Sequence, residues 1–316
     1  NKSEFINTID CFNKDKIDDS TLKYINNTDV LISSVQSGVK AGKKIKQINK
    51  IYACDQSSAH ILFEDNLIND EFNSLNLKRK IILDNRIKEK ALEEYSESDY
   101  ILVPSNYVKS TFDIDYQSKI FVNNFGINTE NFYPIENFKK KNDFFDIVYI
   151  GGVSIRKGIH YLVDAFNKLN YSKKRLHLIG DHISADKDFL KKKISQDNII
   201  IYGHINHLKL NKILNNSNVF VTATLSEGYA NVINQAIASG CPVIITENSG
   251  AKEYVEQNKC GFVVPIRSSQ KIYEKLNLLL DDKNLLKNLS ENSKNSAKDN
   301  TWNNYVDRLD AFINRN

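Results

Sequence analysis

The chain has 316 residues, 41% hydrophobic and 26% charged, enough for two domains with real cores, which excludes a peptide, a disordered tail or a fibrous repeat. Forty-three Lys and Arg against 39 Asp and Glu leave a net charge of +4, too small to argue for a dedicated nucleic-acid binder, so no nucleic-acid partner is expected. Four cysteines, Cys11, Cys54, Cys241 and Cys260, lie far apart without a CxxC pair; buried thiols are expected, with neither disulfides nor a zinc site.

No apolar run approaches the ~18 to 20 residues that span a bilayer, and the start NKSEF lacks a basic-then-apolar leader pattern. The sequence therefore reads as soluble and cytoplasmic. It contains no methionine, which suggests that the natural start lies upstream.

The first predicted strand is DVLISS (29–34), followed by a basic helix, VKAGKKIKQINK (39–50), with five lysines and no acid. Such a face is most simply solvated; the other reading docks it on an anionic lipid surface, a peripheral membrane contact. Strands KIYACD (50–55), YILVPS (100–105) and KIFVNN (119–124) come next, with a long helical zone from about His60 to Tyr95. Four strands are few for a doubly wound half, which normally has about six. The amino-terminal domain is therefore expected to be incomplete.

Pro134 and a basic polar run in NFYPIENFKKKND (131–143) mark a linker. Beyond it, DIVYIG (146–151), RLHLIG (175–180), NIIIYG (198–203), VFVTAT (219–224), PVIITE (242–247) and GFVVP (261–265) alternate with amphipathic stretches. In one of these, Ile159, Leu162, Val163 and Phe166 form a helical stripe. Strands alternating with helices require crossovers, hence an α/β fold of parallel sheets covered on both faces. The expected division is residues 1–140, 141–298, and a terminal helix in 299–316. That helix is capped by Thr301 and is expected to pack back towards the first domain.

Two strand ends carry candidate chemistry. In SEGYANVINQAIASGCPVIITENSG (226–250) a strand gives way to a turn at Glu227 and Gly228, and a helix begins near Tyr229, Ala230 and Asn231. Free amides at such a helix start suit a phosphate or sugar oxygen, and Glu227 can accept hydrogen bonds from sugar hydroxyls. An acid in the first helical turn is equally simple dipole compensation. In YIGGVSIRKGIHYLVDAF (149–166), Gly151 and Gly152 permit close backbone approach, and Arg156 and Lys157 supply charge for a diphosphate. Cations at a helix start oppose the dipole unless an anion is bound there. His204 and His207 have the spacing of a metal pair, but no third ligand accompanies them, so loop histidines are the better reading.

The 226–250 segment resembles the E-x7-E region of retaining glycosyltransferases of family four. These have the GT-B fold, two Rossmann-like doubly wound domains facing across a cleft. The resemblance gives Glu227 the donor-sugar hydroxyls, with the amides of Gly228, Tyr229, Ala230 and Asn231 beside it. The second acid of the motif falls on Gln235, where the family's Glu holds the nucleotide ribose. Lys157 matches the family's phosphate lysine, and Gly152 stands where an Arg is frequent, so Arg156 is the candidate for that Arg's work. The base would be met near Ile205. In the first half, KIYACDQSSAHILFEDNLINDEF (50–72) resembles a subgroup that places a histidine, here His60, near the sugar's anomeric region, with Asp55 the neighbouring polar alternative. Asn128 stands where the family usually has Asp.

The resemblance implies a metal-independent, retaining hexosyltransferase with no bound cofactor. A nucleotide diphosphate sugar is its co-substrate, and a saccharide or lipid-linked compound is its acceptor, with work at the inner face of the membrane in the second case. Two other readings stay open: a GT-B sugar-nucleotide epimerase, whose acid/base carboxylate set is not evident, and a non-catalytic GT-B binding protein.

Overall fold

The computed structural model describes residues 2–136, 143–180, 187–298 and 300–315. Two compact units divide between Asn124 and Phe125. The expected boundary at residues 140 and 141 falls outside the described residues, and each unit is described by itself.

The first unit runs α1 (Lys2–Thr21), β1 (Val30–Ser34), α2 (Val39–Gln47), β2 (Ile51–Asp55), α3 (Ile61–Ser74), α4 (Asn85–Glu97), β3 (Tyr100–Val103), α5 (Asn106–Ser110) and β4 (Ile120–Val122). Its four strands are all parallel, in the order β1-β2-β3-β4. The expected strands are present within a residue or two. The expected long helical zone is instead two helices, because Asp84 starts α4 afresh by accepting the Arg86 N–H at 2.8 Å. Helix α1 was not expected.

Two carboxylates cap α2. Asp18 of α1 accepts the Lys40 and Ala41 N–H groups, each at 2.8 Å, and the buried Glu94 of α4 accepts those of Gln36 and Gly38, the latter at 2.6 Å. Burial pushes the Glu94 carboxyl up to about 7, although its hydrogen bonds to backbone amides oppose the rise. The lysines of the basic helix are also met by acids: Lys40 by Asp19 at 2.6 Å, Lys43 by Glu93, Lys46 by Asp99 at 3.4 Å, and Lys50 by Asp29 at 2.8 Å. A tally of lysines along the helix alone overstates the charge of this face.

The second unit contains β5 (Phe145–Ile150), α6 (Ile159–Lys168), β6 (Lys174–Ile179), α7 (Lys187–Ile194), β7 (Ile199–Ile201), α8 (His207–Asn216), β8 (Val219–Val221), α9 (Asn231–Ala238), β9 (Val243–Thr246), α10 (Lys252–Asn258), β10 (Gly261–Val264), α11 (Ser269–Asp281), α12 (Lys283–Ser296) and α13 (Trp302–Ile313). All six strands are parallel, in the order β10-β9-β8-β5-β6-β7. Both faces are buried. Ile147 and Tyr149 enter one core with residues of α6, α7 and α11, while Val148 enters the other with residues of α8, α9 and α10. Across β5 and β6, Asp146 lies in register with Arg175 and receives two guanidinium hydrogen bonds, at 2.7 and 3.0 Å.

The terminal helix α13 has Thr301 as its cap, as expected. Thr301 pairs with Ile127 in an isolated bridge, and the Trp302 ring stacks on Phe125 at 5.7 Å. Those partners lie in the stretch that the sequence reading gave to the first domain, and the structure groups them with the second unit.

Candidate functional site

Strand order decides where a ligand can lie. From β5 the chain steps outward to β6 and β7, then returns to lay β8 on the other side of β5. The loops leaving the carboxyl ends of β5 and β8 therefore part in opposite directions, and the crevice between them is the usual ligand position in such sheets. The β5–α6 loop holds Gly151 to Gly158, and the β8–α9 loop holds Thr222 to Ala230. These are the two segments singled out in the sequence.

The structure joins them closely. Lys157 Nζ forms an ion pair with Glu227 Oε2 across 70 residues of sequence, with only about a fifth of each side chain exposed (20% and 18%). Arg156 donates from its guanidinium to the Ser226 carbonyl at 3.2 Å, while its own carbonyl accepts the Leu225 N–H at 2.9 Å. This approach is permitted by Gly158, which has φ 65° and whose missing Cβ would collide with the Ala223 carbonyl oxygen. Any other residue there would push the start of α6 away from the end of β8, and Lys157 with it.

Glu227 is also fixed by its backbone. Its N–H donates to the Asn248 carbonyl and its own carbonyl accepts from Gly250, both at 2.9 Å, so the turn after β9 holds the acid in place. Asn248 and Gly250 had no role in the sequence reading, although a polar turn at a parallel strand's carboxyl end was a signal for one. Tyr149 was missed as well. Its hydroxyl donates to the Gly152 carbonyl at 2.8 Å, setting the glycine turn from below; burial and then the charge of Glu227 hold it above the ordinary phenol range.

The other predicted residues fall as follows. Gly228 is buried in the turn, Ala230 is the residue before α9, and Asn231 is the exposed first residue of that helix. The Tyr229 ring packs against Phe125 at 5.7 Å, so only its backbone is available to a ligand. Gln235 sits one turn into α9. Among the described residues no donor reaches its buried Oε1. Ile205 lies half-buried in the β7–α8 loop. His204 is in the same loop, and His207 opens α8 with its ring edge-on to Phe132 at 5.7 Å.

His60 belongs to the first unit, immediately before α3. Its N–H donates to Thr111 Oγ1 at 2.8 Å, and its ring is packed against Tyr95 at 5.0 Å and Phe112 at 4.9 Å. Burial pulls the imidazole below its ordinary pKa, with the Asp113 charge partly opposing, so the ring is neutral at neutral pH. Burial pushes the neighbouring Asp55 carboxyl up. Among the described residues no group of three or more His, Cys, Asp or Glu side chains is placed to hold a metal, and no helix is long and apolar enough to cross a membrane.

Residues 134–296 match the model of the family described as Glycosyl transferases group 1. The chain is 26% identical over 288 residues to an uncharacterized glycosyltransferase of Methanocaldococcus jannaschii, covering 86% of this chain and 77% of that one. It is 33% identical over 162 residues to the capsular polysaccharide biosynthesis glycosyltransferase CapM of Staphylococcus aureus, covering 49% of this chain and less than half (42%) of CapM. In structure it is similar to Anabaena HepE solved with UDP, with a TM-score of 0.76 at 14% identity over 94% of this chain and 81% of that one. At that identity the likeness speaks for the fold, and the fold class is GT-B.

Proposed function

The chain belongs to the glycosyl transferases group 1 family, and we propose that it moves a sugar from a nucleoside diphosphate donor to a saccharide or lipid-linked acceptor, with retention of configuration and without a metal. The observation that carries this reading is the Lys157–Glu227 pair at the strand-order reversal, a cation and a carboxylate side by side in the loops that lead into two helices. The UDP held by HepE supports a nucleoside diphosphate. The relation to CapM supports a role in surface polysaccharide synthesis.

In this reading Lys157 and Arg156 neutralise the charge that grows on the departing diphosphate, and the Gly152 backbone admits it closely. Glu227 and the amides at Gly228 to Asn231 hold the sugar hydroxyls. The lone Oε1 of Gln235 accepts from a ribose hydroxyl, which gives a purpose to an otherwise unpaired buried acceptor. Ile205 lies against the base. The bond from the anomeric carbon to the phosphate oxygen breaks as the acceptor oxygen bonds to that carbon from the same face, and the acceptor's proton passes to the departing phosphate oxygen. No protein nucleophile is used; the neutral His60 orients the sugar. Membrane contact through the basic segment 39–50 is not part of the proposal, because four of its five lysines already face acids.

The experiment is a calorimetric comparison of UDP, GDP and their nucleosides. The reading requires at least one diphosphate to bind at least tenfold tighter than its nucleoside. Equal affinities would remove the diphosphate from the site.

A further inference from the structure

A second concave site lies at the opposite edge of the carboxyl-terminal sheet. Ser217 and Asn218 precede β8 and Pro242 precedes β9, so this cavity opens at the amino ends of the strands, away from the Lys157–Glu227 crevice. Its volume is about 310 Å³, in the range that holds a small metabolite.

The lining is one-signed. Among the described residues that form it are three lysines and no carboxylate. Lys283, Lys287, Ser290 and Lys294 recur along α12 at the spacing of a single helix face. Lys294 lays its stem over Gly240 and gives its ammonium to Glu291 at 2.9 Å. Neither Lys283 nor Lys287 makes a direct ion pair among the described residues, although the charge of Lys287 is felt by Glu291, one turn further along α12. Two like charges four residues apart repel, and Lys283 stands in the first turn, where the helix dipole disfavours a cation. An anion in the cavity would relieve that repulsion.

The facing wall narrows the choice of anion. Ser217 Oγ donates to the Ile213 carbonyl and Ser239 Oγ to Asn211 Oδ1, both at 2.8 Å, and on α12 itself Ser290 Oγ donates to the Gly240 carbonyl at 2.7 Å. Their protons are committed, and what these hydroxyls can still offer is oxygen lone pairs. The cavity thus presents ammonium donors on one side and hydroxyl acceptors on the other. We propose that it binds a compact phosphorylated polyol such as a hexose monophosphate, its phosphate on Lys283 and Lys287 and its hydroxyls donating to the serine oxygens.

The test is calorimetry of the whole chain with glucose 6-phosphate, glucose and inorganic phosphate. Saturable one-to-one binding of glucose 6-phosphate is expected, at least tenfold tighter than either fragment. Lys283→Gln with Lys287→Gln, both exposed positions, should weaken it at least tenfold, and Lys157→Ala should leave it unchanged. Lack of saturable binding would overturn the proposal, as would loss in Lys157→Ala with retention in the α12 variant. A phosphate source in lipid is distinguished by sedimentation with phosphatidylcholine vesicles containing phosphatidylglycerol; capture by those vesicles that depends on Lys283 and Lys287, without glucose 6-phosphate binding, would likewise overturn it.

Discussion

Because Lys157 is already held by Glu227, removing the carboxylate should strengthen the binding of a bare nucleoside diphosphate. In the free protein a diphosphate that recruits Lys157 has to loosen this pair and then sits beside a carboxylate. Two unit charges about 6 Å apart interact by roughly 3 kcal/mol at an effective dielectric near 20. The side chains are 18 and 20% exposed, so solvent and salt reduce this to on the order of 1 kcal/mol, a factor of about five in affinity. Glu227→Gln should therefore bind UDP about three to ten times more tightly while transferring sugar far more slowly. Lys157→Ala loses a charge-assisted hydrogen bond of about 1.5 to 3 kcal/mol, less what the carboxylate was withholding, so UDP should weaken about tenfold. Calorimetry with UDP and with uridine reads both, and uridine affinity should stay the same in all three proteins. A Glu227→Gln variant that binds UDP more weakly than the native chain, while folding normally, would refute the reasoning.

Three further outcomes are expected. Gly158→Ala meets both a left-handed φ and the Ala223 carbonyl, so it should lower Tm and weaken UDP together; native binding at native Tm would show that the close approach is not needed. His60→Phe keeps the ring packing against Tyr95 and Phe112 but removes both nitrogens, so Tm should stay within a few degrees while turnover falls at least tenfold, and native turnover would reduce His60 to a packing residue. Glu94 has a folded pKa of about 7, above that of an unfolded chain; the native state then binds more protons than the unfolded state between about pH 4.5 and 7, so stability falls as pH rises through that window. Denaturant unfolding at pH 5 and pH 8 should show this contribution, on the order of 3 kcal/mol, and Glu94→Gln should remove it; an unchanged pH dependence in the variant would assign it elsewhere.

The ten strands among the described residues, and the helix α6 between two of them, were legible because a buried parallel strand is a short β-branched run and a covering helix is a stripe. Helix α1 was not, because its pattern is not a stripe: Ile9, Phe12 and Ile17 are exposed, while Cys11 and Asp18 are buried. Both halves of the candidate donor site could be read from their glycines and charges. Their juxtaposition could not, since it follows from β8 returning to lie beside β5, and strand order is not written in local pattern. The acids facing α2 escaped notice for the same reason. They come from α1, from the ends of β1 and β3, and from α4, and each looks like an ordinary surface residue in its own segment.

The account stands most directly on what happens to the sugar. The protein should be incubated with UDP- and GDP-sugars and a saccharide acceptor in excess chelator, with the products followed by proton NMR. At least one donor should release its nucleoside diphosphate in step with a new glycoside whose anomeric configuration is that of the donor. An inverted product, an epimerised nucleotide sugar without transfer, or turnover that appears only when a divalent metal is restored would contradict it.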